Sequence, residues 1–114
     1  MSHLTILPTV LRDADRLEAV LIARGLAPTR GGSLPSFPPD RQPVELRVEL
    51  ADGLQFGWQR QRDGSLGLVC DLQRLSRNQR LERLLGEITR AYAARKALQE
   101  AAEQLPTAQI ELSA

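Results

Sequence analysis

The chain predicts an α+β fold. We expect a two-layer sandwich, with two helices covering one face of a four- to five-stranded, mainly antiparallel sheet, in a ferredoxin-like variant. Three observations carry this expectation. Val44, Leu46, Val48 and Leu50, then Leu54, Phe56 and Trp58, then Leu66, Leu68, Cys70 and Leu72 fall at alternate positions, the period of strands. Ala51-Asp52-Gly53 and Arg62-Asp63-Gly64 divide these runs, so residues 44–73 read as a three-stranded meander. Leu81, Leu84, Leu85, Ile88, Tyr92, Leu98, Ala101, Ala102 and Leu105 recur at helical spacing. A length of 114 residues is one domain's worth, so 1–114 is taken as a single α+β domain.

The elements follow in order. Leu4 to Val10 forms a first strand, with Pro8 marking a bend or an edge. Asp13 or Asp15 opens a short helix. Asp15 with Glu18 resembles a capping box, Leu17, Val20 and Leu21 form the apolar stripe, and Gly25 stops it. Residues 28–43 hold five of the seven prolines and Gly31-Gly32, and read as a loop that Phe37 pins to the body. Ser76-Arg77-Asn78-Gln79 matches a second capping box, which starts the long helix; Pro106 ends it. Ala108, Ile110 and Leu112 alternate as a closing strand.

Turn chemistry fixes the register of the meander. A two-residue Asp-Gly turn would set Leu50 against Gln55 and mix polar with apolar side chains on one face. A three-residue loop pairs Leu50 with Leu54, Val48 with Phe56 and Leu46 with Trp58. The second loop then pairs Trp58 with Leu68, Phe56 with Cys70 and Leu54 with Leu72. Both loops end in glycine, which the left-handed position of such a hairpin requires. The sheet face away from the helices is expected to be polar.

Composition narrows the function classes. A net charge of +1 supplies no global field toward nucleic acid or membranes. Fourteen of the fifteen basic residues are Arg, with a single Lys96. One cysteine rules out an internal disulfide and a cysteine-based metal cluster. No signal peptide and no membrane span are apparent, so a soluble, cytoplasmic protein is expected.

Met1-Ser2-His3, Phe56-Gly57-Trp58, Asp71-Leu72-Gln73 and Ile88-Thr89-x-x-Tyr92-Ala93 occur in this order. Together they resemble the hypothetical chloroplast reading-frame thirty-five family of plastids, cyanobacteria and some other bacteria. The resemblance runs from residue 1 to about residue 104. Members commonly carry aromatic residues after the Asp-Leu-Gln, where this chain has Arg74-Leu75-Ser76-Arg77. The resemblance implies a domain of unknown function, in the plastid stroma for plastid relatives, and supplies no catalytic residues.

The candidate chemistry is sparse. His3 is the lone histidine and has no partner fixed by spacing. Cys70 falls on the apolar face, where burial makes a thiol inert. On the polar face, Arg47, Glu49, Gln55, Gly57, Gly67 and Asp71 form a candidate interaction surface, since glycines inside strands mark close approach of another backbone or ligand. Arg74, Arg77, Arg80 and Arg83 form a candidate anion site. Arg77 and Arg80 fall near the start of the long helix, where the dipole disfavours cations unless an anion is present. No catalytic, cofactor or metal constellation is apparent. The sequence therefore reads as a small non-enzymatic accessory or adaptor protein with a protein partner. Self-association through an edge strand is possible on this reading. The alternative is an RNA- or anion-binding domain using the arginines of 74–83.

Overall fold

The structure, a computed structural model, describes residues 4–35 and 41–104. His3, Phe37 and the strand expected at 108–112 lie outside these residues.

Asp71 and Leu4 stand opposite one another where the first and last strands of the sheet meet. That sheet has five strands in the order β1-β7-β6-β5-β2, and every neighbouring pair is antiparallel. The strands are β1 (Leu4–Leu7), β2 (Thr29–Arg30), β5 (Leu46–Glu49), β6 (Gln55–Arg60) and β7 (Leu66–Asp71). A separate two-stranded hairpin joins β3 (Ser33–Pro35) to β4 (Arg41–Pro43). The helices are α1 (Ala14–Ala23), α2 (Leu72–Arg77) and α3 (Gln79–Gln104). This is an α+β sandwich with a mainly antiparallel sheet.

The meander has the register its turns dictate. Leu46 opposes Trp58, Val48 opposes Phe56, and Trp58 opposes Leu68. The first loop closes where Leu50 N–H donates to Leu54 O at 2.8 Å, and the second where Gln61 N–H donates to Ser65 O at 2.8 Å. Gly53 and Gly64 end these loops at φ 87° and 88°, a region costly for any residue with a Cβ. Leu46, Val48, Phe56, Trp58, Leu66, Leu68 and Cys70 therefore share one buried face. Phe56 and Trp58 stack edge to face with ring centroids 5.5 Å apart.

Two helices cover that face. Asp13, not Asp15, caps α1: its carboxylate accepts from Arg16 N–H at 3.1 Å. Ala14, Leu17, Val20 and Leu21 face the core. Gly25, at φ 81°, ends the helix in a Schellman motif, with Leu26 N–H donating to Leu21 O and Gly25 N–H to Ile22 O. The long helix starts differently from expectation. Asp71 leaves β7 and at once caps α2, so Ser76 lies inside a helix and donates to Gln73 O. Asn78, in extended conformation, breaks the run and caps α3 through Leu81 N–H at 3.0 Å. Leu72, expected opposite Leu54 in the sheet, is instead the first residue of α2 and 45% exposed.

The opposite sheet face is not simply polar, and residues 28–43 are not simply loop. β2 adds an edge strand to β5, and the β3–β4 hairpin lies over β6. A bend at residues 44–45 turns Val44 away from Leu46. Val44 packs with Leu34 and Val69 in a second buried cluster, against Leu4. Gln59 holds the hairpin by donating to Pro43 O at 2.7 Å. A Cβ at Gly57 would stand 2.5 Å from Leu46 O and 3.2 Å from Val44 Cγ1, and one at Gly67 would meet Ile6 Cγ2 at 2.7 Å. These glycines make room for the chain itself.

Two predictions follow from this packing. Gly57→Ala should lower stability by about 3 kcal/mol, because backbone must move, whereas Gly53→Ala should cost about 1 kcal/mol for its left-handed conformation; urea denaturation separates them. The exposed Asp63 carboxylate is held below its ordinary range, chiefly by Ser65 Oγ–H at 2.6 Å and also by Ser65 N–H. A depressed folded value stabilises above the ordinary carboxylate range and is lost as pH falls through it. Asp63→Asn should therefore flatten the acid limb of a Tm-against-pH curve relative to the parent chain.

Candidate functional site

Four of the six residues expected on an interaction face, Arg47, Glu49, Gln55 and Gly57, stay together as two neighbouring register pairs on the sheet face away from the helices. Glu49 and Gln55 oppose one another on β5 and β6, joined by a Gln55 Nε2–H···Glu49 Oε1 bond of 3.1 Å. Arg47 opposes Gly57, but its Nε is buried without a hydrogen-bond partner and lies under Gly32, where a Cβ would come within 3.1 Å. Gly67 lies under Ile6 and Gln61. Asp71 is 8% exposed and spends its carboxylate on Gln73 N–H and Arg74 N–H. The glycines and Asp71 thus serve packing and capping within the chain itself.

Cys70 is 1% exposed, and burial first, then the neighbouring Asp71 charge, pushes its thiol up. Both effects disfavour the thiolate needed for nucleophilic chemistry. Among the described residues, no group of three or more His, Cys, Asp and Glu side chains could hold a metal ion. No helix among them is long and apolar enough to cross a membrane.

The arginines of 74–83 are partly assembled. Arg74, Arg77 and Arg80 line one cleft of about 570 Å³ with Asp52, Leu54, Asn78 and Gln79, and Arg83 stands outside it. The helix break changes their electrostatics. Arg74 and Arg77 occupy the last turn of α2, where exposed carbonyls favour a cation. Only Arg80 sits in the first turn of α3.

Two further concave regions carry no clear local motif. One, about 650 Å³, runs between α1 and α3 over Val20, Ala23, Ala91, Ala94, Leu98 and Ala102, with Arg24 and Arg95 at its sides. It exists because α3 is longer than what it packs on: 26 residues span about 39 Å against about 15 Å for α1. Buried α3 positions end at Tyr92, and Leu98 is 72% exposed. The apolar stripe read from the sequence as core is core only in its first half. The mismatch in helix length was the available signal.

The second region, about 590 Å³, lies at the start of α1 among Arg12, Arg16, Arg30, Arg60, Lys96, Glu45 and Tyr92. Its cations are taken up internally. Arg30 pairs with Asp15 and Glu18, Arg60 with Glu45 at 2.8 Å, and Arg16 lies over the Tyr92 ring while donating to Gln99. Tyr92 is the anchor here. Its hydroxyl oxygen accepts from Arg12 N–H at 3.1 Å and Asp13 N–H at 2.9 Å. Burial pushes its pKa up, but these two donors and Arg16 outweigh burial, and the net shift is downward.

Residues 23–109 match the model of a family described as "Protein of unknown function (DUF1257)", and the chain belongs to that family. No curated protein and no solved structure matches.

Tyr92→Phe should leave two part-buried amides without their acceptor and cost about 1 kcal/mol. Thermal unfolding measures the loss, and amide exchange at Arg12 and Asp13 should quicken.

Proposed function

We propose that this member of the family is a single-domain, non-enzymatic accessory or adaptor protein that works by binding another protein. The observation that carries the reading is the apolar groove along α1 and α3. Leu98, at 72% exposure, leaves a large apolar side chain facing water in it. Such a groove suits an amphipathic helix laid lengthwise. Arg24 and Arg95 at its sides favour a partner helix with acidic residues beside its apolar stripe. We also read the family as the hypothetical chloroplast reading-frame thirty-five type of plastids and cyanobacteria. Phe56-Gly57-Trp58, Asp71-Leu72-Gln73 and Tyr92 support that reading. A cytoplasmic or stromal site goes with it.

A second reading, RNA or anion binding, draws support from the convergence of Arg74, Arg77 and Arg80 on one cleft. Self-association through β1, an outer strand of the sheet among the described residues, would be seen as a doubled mass in sedimentation.

The groove is tested by crosslinking the tagged chain in the cells that express it. Crosslinks should map to residues 20–24 and 91–102. Leu98→Glu should abolish them while leaving the Tm within about 1 °C, since exposed substitutions rarely change stability. Crosslinks that persist unchanged in Leu98→Glu would remove the groove as the docking surface.

A further inference from the structure

We propose that the cleft at the α2–α3 junction binds a phosphate monoester, gripped by Arg74, Arg77 and Arg80. The inference rests on the second reading above and names its ligand. Its ground is a contrast between two arginine-rich clefts in the same molecule. At the start of α1, Arg12, Arg16, Arg30 and Arg60 each hold a carboxylate, an amide oxygen or a backbone carbonyl. At the α2–α3 junction, among the described residues, no acidic side chain forms an ion pair with Arg74, Arg77 or Arg80, and their side chains make no hydrogen bond. The one carboxylate in the cleft, Asp52, accepts from Leu54 N–H at 3.0 Å. Three guanidiniums against one carboxylate leave the cleft positive.

The break at Asn78 produces this convergence. It ends α2 just after Arg77 and restarts a helix just before Arg80, so cations from two helices border one space. Asn78 takes Leu81 N–H with its side chain and Glu82 N–H with its carbonyl. The amides of Gln79 and Arg80 are left to meet an anion at the helix start, which also offsets the cost of Arg80 in that turn.

The ligand class follows from charge and shape. A phosphate monoester is close to a dianion at neutral pH and offers three oxygens, matching planar guanidinium forks better than a carboxylate does. A volume of about 570 Å³ exceeds phosphate itself and leaves room for the group that bears it. Single-stranded nucleic acid fits less well. Its binders stack bases on aromatic rings, and among the described residues the aromatics Phe56, Trp58 and Tyr92 are buried.

Calorimetric titration of the full chain tests this with three probes: inorganic phosphate, adenosine 5′-monophosphate and a 5′-hydroxyl single-stranded RNA. Phosphate and the mononucleotide should bind one per chain. Arg77→Gln and Arg80→Gln should each weaken both by about tenfold or more, as for hydrogen bonds to charged groups. Arg83→Gln, outside the cleft, should leave both unchanged. All three residues are exposed and Gln keeps helix propensity, so circular dichroism should show an intact fold. Equal affinity in the Arg77→Gln/Arg80→Gln double variant, or an equal loss in Arg83→Gln, would overturn the assignment. Binding of RNA alone, lost in the double variant, would keep the anion reading and remove the phosphate monoester. Binding of none of the probes would remove both.

Discussion

The register of the meander is the constraint on which the rest of the molecule depends. Two three-residue turns, each closed by a glycine in the left-handed region, fix how β5, β6 and β7 align. A slip of one residue would exchange the faces of every strand. Phe56 and Trp58 would then leave the helices, and Gly57 would no longer stand where Leu46 O and Val44 approach. The helices, the hairpin over the far face and the anchoring of α1 by Tyr92 all presuppose that alignment. Side-chain bonds reinforce each turn: Asp52 accepts from Leu54 N–H and Asp63 from Ser65.

Covering both sheet faces with so short a chain has consequences at its surface. β7 is buried along its whole length. The sites proposed above lie where elements end or outrun their neighbours. The α2–α3 junction is one such place, because two helices terminate there together. The overhang of α3 is the other, because α1 is too short to follow it.

Local periodicity and turn chemistry made much of this legible beforehand. The pairings Val48–Phe56 and Trp58–Leu68, the stop at Gly25 and the burial of Cys70 follow from patterns a few residues long. What escaped depended on backbone direction or on distant partners. Val44 keeps the alternation of β5 in sequence but sits before a bend, so its side chain joins Leu34 and Val69 instead. Asp71 reads as a polar-face carboxylate until the chain turns into α2 behind it. Gly57 and Gly67 do mark close approach, but to the chain's own Leu46, Val44 and Ile6. Among the arginines, spacing identified the cluster. Only the break at Asn78 shows which three converge and why Arg83 does not.

The position of Cys70 gives the molecule an internal clock. It is the sole thiol, enclosed between the sheet and the helices, and its surroundings hold it protonated. At 1% exposure it is out of reach of a thiol reagent in the closed fold. The rate at which the native protein is alkylated therefore reports opening of the core between sheet and helices. A bound molecule that slows this reaction stabilises the closed core around Cys70.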